Sequence, residues 1–152
     1  MEPAVSDLKQ ILCEGPNRDR VIADTVRLVE SEVKSKGGVS GMAIKAGFKA
    51  VNAIKPTFIR DSVDNLLDRF VVRLAPYYDT WVEQGKAPSF ERFLEERRSE
   101  VANALLAVTD ERAAQVQAGT VKKAYERLRP TGEKNVEAAV PALGRMVEPY
   151  LR

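Results

Sequence analysis

TFIRDSVDNLLDRFVVRLAPYYDTW, residues 57–81, sets Ile59, Val63, Leu66, Phe70, Leu74, Tyr77 and Trp81 at steps of three and four. That spacing returns to one side of a 3.6-residue helix and does not match the period of two that a strand requires. Thr57 is placed to cap the helix, and Pro76 predicts a kink or break between Leu74 and Tyr77. GKAP at residues 85–88 ends the segment.

The same period continues in both directions from this run. Upstream, Ser6 to Cys13 carries Leu8, Ile11 and Leu12 on one side of a short helix, with Ser6 as its expected cap. Gly15-Pro16-Asn17 breaks it, and Asn17 is placed to cap a second helix with Ile22, Val26, Val29 and Val33 on its apolar stripe. Gly37 and Gly38 stop that helix, Ser40 or Gly41 opens a third, and Pro56 ends the third. Downstream, Ser89 caps a fifth helix carrying Phe90, Phe93, Leu94, Val101, Leu105 and Leu106. Val121 to Arg129 forms another before Pro130-Thr131-Gly132, and the last carries Val136, Val140, Leu143, Val147 and Tyr150, bent or delayed by Pro141. Strand signals are absent, so the chain reads as an all-α bundle of six or seven helices in one domain over 1–152.

Residues 50–77 and 124–150 share a pattern. Ala50, Ile54, Lys55, Pro56 and Thr57 align with Ala124, Leu128, Arg129, Pro130 and Thr131, and after one deletion Val63 to Tyr77 aligns with Val136 to Tyr150. Two readings fit: a degenerate duplicated helical hairpin, or Pro-Thr helix starts that recur because both residues suit that boundary. Pro56-Thr57 followed by IRDSVDNLL also resembles the second helix of a HEAT-type repeat, over about one helix. The separation of the two copies does not match the ~40–47 residues of that repeat, and no function is carried over from the resemblance.

Composition narrows the function classes. The chain has 152 residues, 44% of them hydrophobic and 30% charged, with a net charge of +2, which describes an ordinary soluble protein. It contains no histidine and one cysteine, Cys13. Those counts remove the usual general base, the ordinary zinc and haem ligand sets, and the Ser–His–Asp and Cys–His nucleophile arrangements. No phosphate-binding glycine motif and no acidic metal loop is present, and no cofactor is expected. An enzyme built only on carboxylate, Lys and Tyr residues is the minority reading. A lone cysteine, an N-terminus without an apolar run and no stretch long enough to span a bilayer lead to the expectation of a cytoplasmic protein.

The segment from Lys34 to Arg60 stands apart. It holds Lys34, Lys36, Lys45, Lys49, Lys55 and Arg60 without one Asp or Glu, and four of the nine glycines. On a helical wheel Lys45, Lys49 and Asn52 fall together, opposite Ile44, Phe48, Val51 and Ile54, with Ala43, Ala46, Ala50 and Ala53 along a flank. The ordinary reading is a core helix that packs closely through its small residues and leaves its lysines in water. The functional reading is a non-catalytic binding or scaffolding protein that presents this basic face to an acidic protein or other anionic ligand through Lys45, Lys49, Lys55 and Arg60. The alternative lays the cationic amphipathic helix 41–54 on a membrane surface. Nucleic acid fits poorly, because the helix lacks base-reading side chains beside Asn52 and aromatics are not interleaved with the cations. Tyr77 and Trp81 are expected in the core and Tyr78 partly buried. Cys13 is expected to act as a small hydrophobe, and the charges from Glu91 to Glu100 as a solvated helix face.

Overall fold

The helical period of residues 57–81 becomes one unbroken helix in the computed structural model, which describes residues 4–117 and 119–151 and gives side chains for all of these but 4–6, 39, 40 and 121. Seven α-helices follow in chain order: α1 (Ala4–Cys13), α2 (Asn17–Ser35), α3 (Gly38–Ile54), α4 (Phe58–Glu83), α5 (Phe90–Glu95), α6 (Arg98–Gln115) and α7 (Gly119–Leu151). Among the described residues there is no strand. The fold is all-α.

Helix α4 starts and ends where the sequence places it, but its expected cap bond is not made and its interior is not broken. Thr57 stands at the N-cap without a side-chain bond to the backbone, its hydroxyl going instead to Asp61 at 3.1 Å. Pro76 neither breaks the helix nor ends it. A proline removes one backbone N–H, and the carbonyl it strands, four residues back, belongs to Val72, which is exposed to water. The same reason covers α7, where the expected boundary at residues 130–132 is absent and one 33-residue helix runs through Pro130, Pro141 and Pro149. The stranded carbonyls there belong to Glu126, Glu137 and Arg145, all exposed or half-buried. Arg129 adds a tertiary lock across the Pro-Thr-Gly step. It binds Glu133 one turn on at 3.1 Å and Asp110 of α6 at 2.8 and 3.0 Å, while Tyr125 also donates to Asp110. Local helix-breaking chemistry is outweighed by solvation and packing.

The expected fifth helix is two helices. Ser89 caps α5 as its position predicts, accepting from the Arg92 N–H at 3.2 Å. The chain then turns at Glu96–Arg97, and the Arg97 guanidinium donates to the Phe93 carbonyl at 3.0 Å and lies 3.9 Å from the Phe93 ring centroid. Asn17 differs as well. It is the first residue of α2 rather than its cap, and its side chain donates to the Ile11 carbonyl at 3.0 Å, tying α2 to the end of α1.

Among the described side chains, the core draws on every helix except α3. It is built on Leu8 and Leu12, Val21 and Ile22, the α4 stripe Leu67, Val71, Leu74, Ala75, Tyr78 and Trp81, and Phe90, Phe93, Val101, Val140 and Val147 from later helices. Trp81 is its aromatic centre, 4.8 Å from Phe90 between ring centroids, with its indole N–H on the Pro88 carbonyl at 2.8 Å. Tyr78 is buried and Tyr77 only half-buried, the reverse of the expected order. This is one sign of a wider offset: the buried side of α4 centres on Leu67, Val71 and Leu74, one step round from Ile59, Val63, Leu66 and Phe70. Buried Gly144 allows α7 to approach α5 closely, since a Cβ there would stand 2.7 Å from the Glu91 Cα. Arg145 binds Glu91 at 2.8 Å and Glu148 accepts from the Phe90 N–H at 2.8 Å beside it, so side chains of α7 clamp it to α5 around that close approach.

Candidate functional site

The half-buried side of α4 faces a void. Ile59, Val63, Leu66 and Phe70 line a cavity of about 450 Å³ whose other walls are Leu28, Val29 and Val33 of α2, Val136, Ala139, Val140, Leu143 and Met146 of α7, and Ile44 of α3. The wall is apolar almost throughout. Thr25 and Asn135 reach it but donate to carbonyls of their own helices, at 2.7 and 2.8 Å. Its charged members are Glu32 and Lys36, paired at 3.3 Å; their side chains retain 26% and 17% exposure, which places them where the cavity meets solvent. The volume lies within the ~300–1,000 Å³ of small-molecule sites, and an apolar wall with few polar groups is their usual lining.

Helix α3 shields this cavity from one side and is held by a tight junction. A Cβ at Gly41 would lie 2.7 Å from the carbonyl carbon of Lys36 and 2.8 Å from its oxygen, so only glycine lets α3 fold back against the end of α2. Beyond that point the helix is loosely covered. Ile44, Phe48, Val51 and Asn52 are half-buried on the inner side. The expected close packing through small residues is not made: Ala43, Ala46, Ala50 and Ala53 are exposed, and a Cβ at Gly47 would meet nothing within 4 Å. No partner helix covers that flank in the described chain, so the small residues lie on the outer surface of α3 beside the lysines.

The four basic residues singled out in the sequence are placed unequally. Lys45 and Lys49 lie exposed one turn apart on α3, with no ion pair among the described residues. Lys55, at the end of α3, binds Asp61 of α4 at 2.7 Å, and together with Thr57 it holds the Asp61 carboxyl below its usual range. Arg60 is exposed on the first turn of α4. The face that remains for a ligand is therefore narrower than the charge count implies. Sequence reasoning missed the cavity, although its α4 wall is the very stripe that defined the fold; no sequence signal separates a wall from a core.

Among the described residues no three His, Cys, Asp or Glu side chains are grouped to hold a metal ion, and no helix is long and apolar enough to cross a membrane. No curated protein and no solved structure matches the chain. Residues 8–151, from within α1 to the last residue of α7, match the family of unknown function DUF6918, and the chain belongs to that family.

Proposed function

We propose that the protein is a non-catalytic binding protein whose ligand is an anionic amphiphile. The apolar part of the ligand occupies the cavity between α2, α4 and α7, and the charged end sits at the Lys36 rim, at the start of the acid-free segment. The observation that carries this reading is the 450 Å³ of space behind an almost wholly apolar wall. Apolar voids in protein cores cost on the order of 24 cal/mol per Å³. A fully enclosed space of this size would forfeit about 10 kcal/mol, comparable with the ~5–15 kcal/mol stability of a whole domain. Opening to solvent lowers that figure, but a hydrocarbon chain that fills the space still recovers dispersion contacts the lining lacks. The field of the segment favours a negative headgroup: residues 32–60 carry six cations and one acid, and Lys36, the cation on the cavity wall, is shared with Glu32.

The test is titration calorimetry with dodecanoate below its micelle concentration, with dodecanol as the neutral comparator. Saturable binding at one ligand per chain is expected, weakened by Lys36→Gln and lost in Ala139→Phe, which fills the cavity. No saturable heat and no thermal stabilisation by dodecanoate would refute the reading. A second reading is supported by Lys45 and Lys49, which are exposed and make no ion pair among the described residues: an anionic partner docks on α3 from outside, through the same basic segment.

A further inference from the structure

We propose that the outward face of α3 is a docking surface for an anionic bilayer. The helix is apolar on two sides. Inward it sets Ile44 against the cavity, while outward it exposes Met42, Ala43, Ala46, Ala50, Ala53 and Ile54. Met42 is 72% and Ile54 82% exposed, and Phe58, just beyond at the start of α4, is 40% exposed. Large apolar side chains this open within one short segment mark an interaction surface. The other outward side chains that are described are Lys45 and Lys49, which flank the apolar sector and have long stems that can lift their ammonium groups to headgroup level.

The chemistry of the face chooses among occupants. The described outward side chains of α3 before Lys55 include no hydroxyl, amide or carboxylate, and the polar groups at the edge beyond, Lys55, Thr57 and Asp61, bond one another, which leaves little of the hydrogen-bonding rim that a protein interface ordinarily has. A second copy docked by two-fold symmetry would set this lysine pair near its own equivalent, with no acid on the helix to offset it. An anionic bilayer satisfies both parts at once, taking the apolar side chains below the headgroups and the lysines among them. At 1.5 Å per residue the 17 residues of α3 reach about 25 Å, short of the ~30 Å hydrocarbon core, so the helix lies in the interface plane and does not span. Loose coverage leaves this face available without unfolding, since none of the described side chains of α3 belongs to the core.

The experiment is co-sedimentation of the full chain with phosphatidylcholine vesicles, with and without phosphatidylglycerol, at physiological salt. Binding to the anionic vesicles alone is expected. Lys45→Gln with Lys49→Gln should weaken it by about tenfold or more, from the attraction each basic side chain feels near an anionic surface. Met42→Ser with Ile54→Ser should weaken it comparably, and circular dichroism should show both variants folded, because all four side chains are exposed. An environment-sensitive fluorophore on Ala46→Cys should shift to the blue on those vesicles. Absence of binding, an unshifted fluorophore, or binding unaffected by the Met42 and Ile54 changes would overturn the proposal, as would dimerisation of the free chain through this face. The cavity-filling Ala139→Phe variant should still bind vesicles, so failure of the ligand reading and failure of the docking surface are told apart.

Discussion

Replacing Gly144 by alanine should destabilise the protein, whereas the same replacement at Gly132 in the same helix should stabilise it. Both glycines lie inside α7, so both substitutions gain the helix preference of alanine, about 0.8–1 kcal/mol. What differs is the space outside the helix. A Cβ at Gly132 meets nothing within 4 Å, whereas at Gly144 it falls 2.7 Å from the Glu91 Cα, 3.0 Å from its nitrogen and 3.1 Å from the Phe90 carbonyl oxygen. Those atoms are backbone in the first turn of α5 and cannot rotate aside, so relief requires α5 and α7 to separate. Separation strains the Arg145–Glu91 pair and the Glu148 bond to the Phe90 N–H. Overpacking costs about 1–3 kcal/mol, and with rigid backbone as the obstacle the upper part of that range, about 2–3 kcal/mol, applies, so that against the helix gain a net loss of about 1–2 kcal/mol is left at Gly144. For a chain of this length that is a fall in Tm of about 2–8 °C, against a rise of about 2–4 °C at Gly132. Urea titration followed by circular dichroism, with unchanged m-values, measures both. Gly144→Ala at least as stable as the parent, or two shifts of the same sign, would refute the close approach of α5 and α7.

Three further outcomes are expected. Cys13 is buried, and burial, with Asp68 adding to it, pushes its thiol up to about 12; a soluble disulfide reagent at pH 8 should label the native protein at least about a thousandfold more slowly than an unfolded control, and fast labelling would contradict the packing of α1. The Arg129 hydrogen bond, with that of Tyr125, holds the Asp110 carboxyl below its ordinary 3.8, so its contribution is present above that value and is lost as the pH falls through and below it. Asp110→Asn should flatten this acid limb in pH-dependent melts, and an unchanged limb would show that the α6–α7 lock is not made. Phe93→Ala, at a site with no exposure, should cost about 3–5 kcal/mol, while Phe70→Ala, on the cavity wall, should cost less than about 3 kcal/mol; equal losses would mean the cavity is filled by the protein itself.

Apolar spacing and a few punctuating residues were enough to show a helical bundle, a helix ending just before Lys55-Pro56 and another starting at Ser89, because these depend on neighbours within one turn. Proline misled the sequence reading at the boundary expected at residues 130–132, and it does not break α4 at Pro76. Its cost is also local, but whether it is incurred depends on water reaching the stranded carbonyls and on tertiary locks such as Arg129–Asp110, which a sequence does not display. The site divides along the same line. Sequence showed that residues 34–60 are basic and acid-free and that Ile59, Val63, Leu66 and Phe70 share a side of one helix. Periodicity sets only the angle at which a side chain leaves its helix. What it meets there, whether packed atoms at Leu67 and Val71, open space at Leu66 and Phe70, solvent at the alanines of α3 or an acid at Lys55, depends on where the other helices come to rest, and that was decided by the tertiary structure alone.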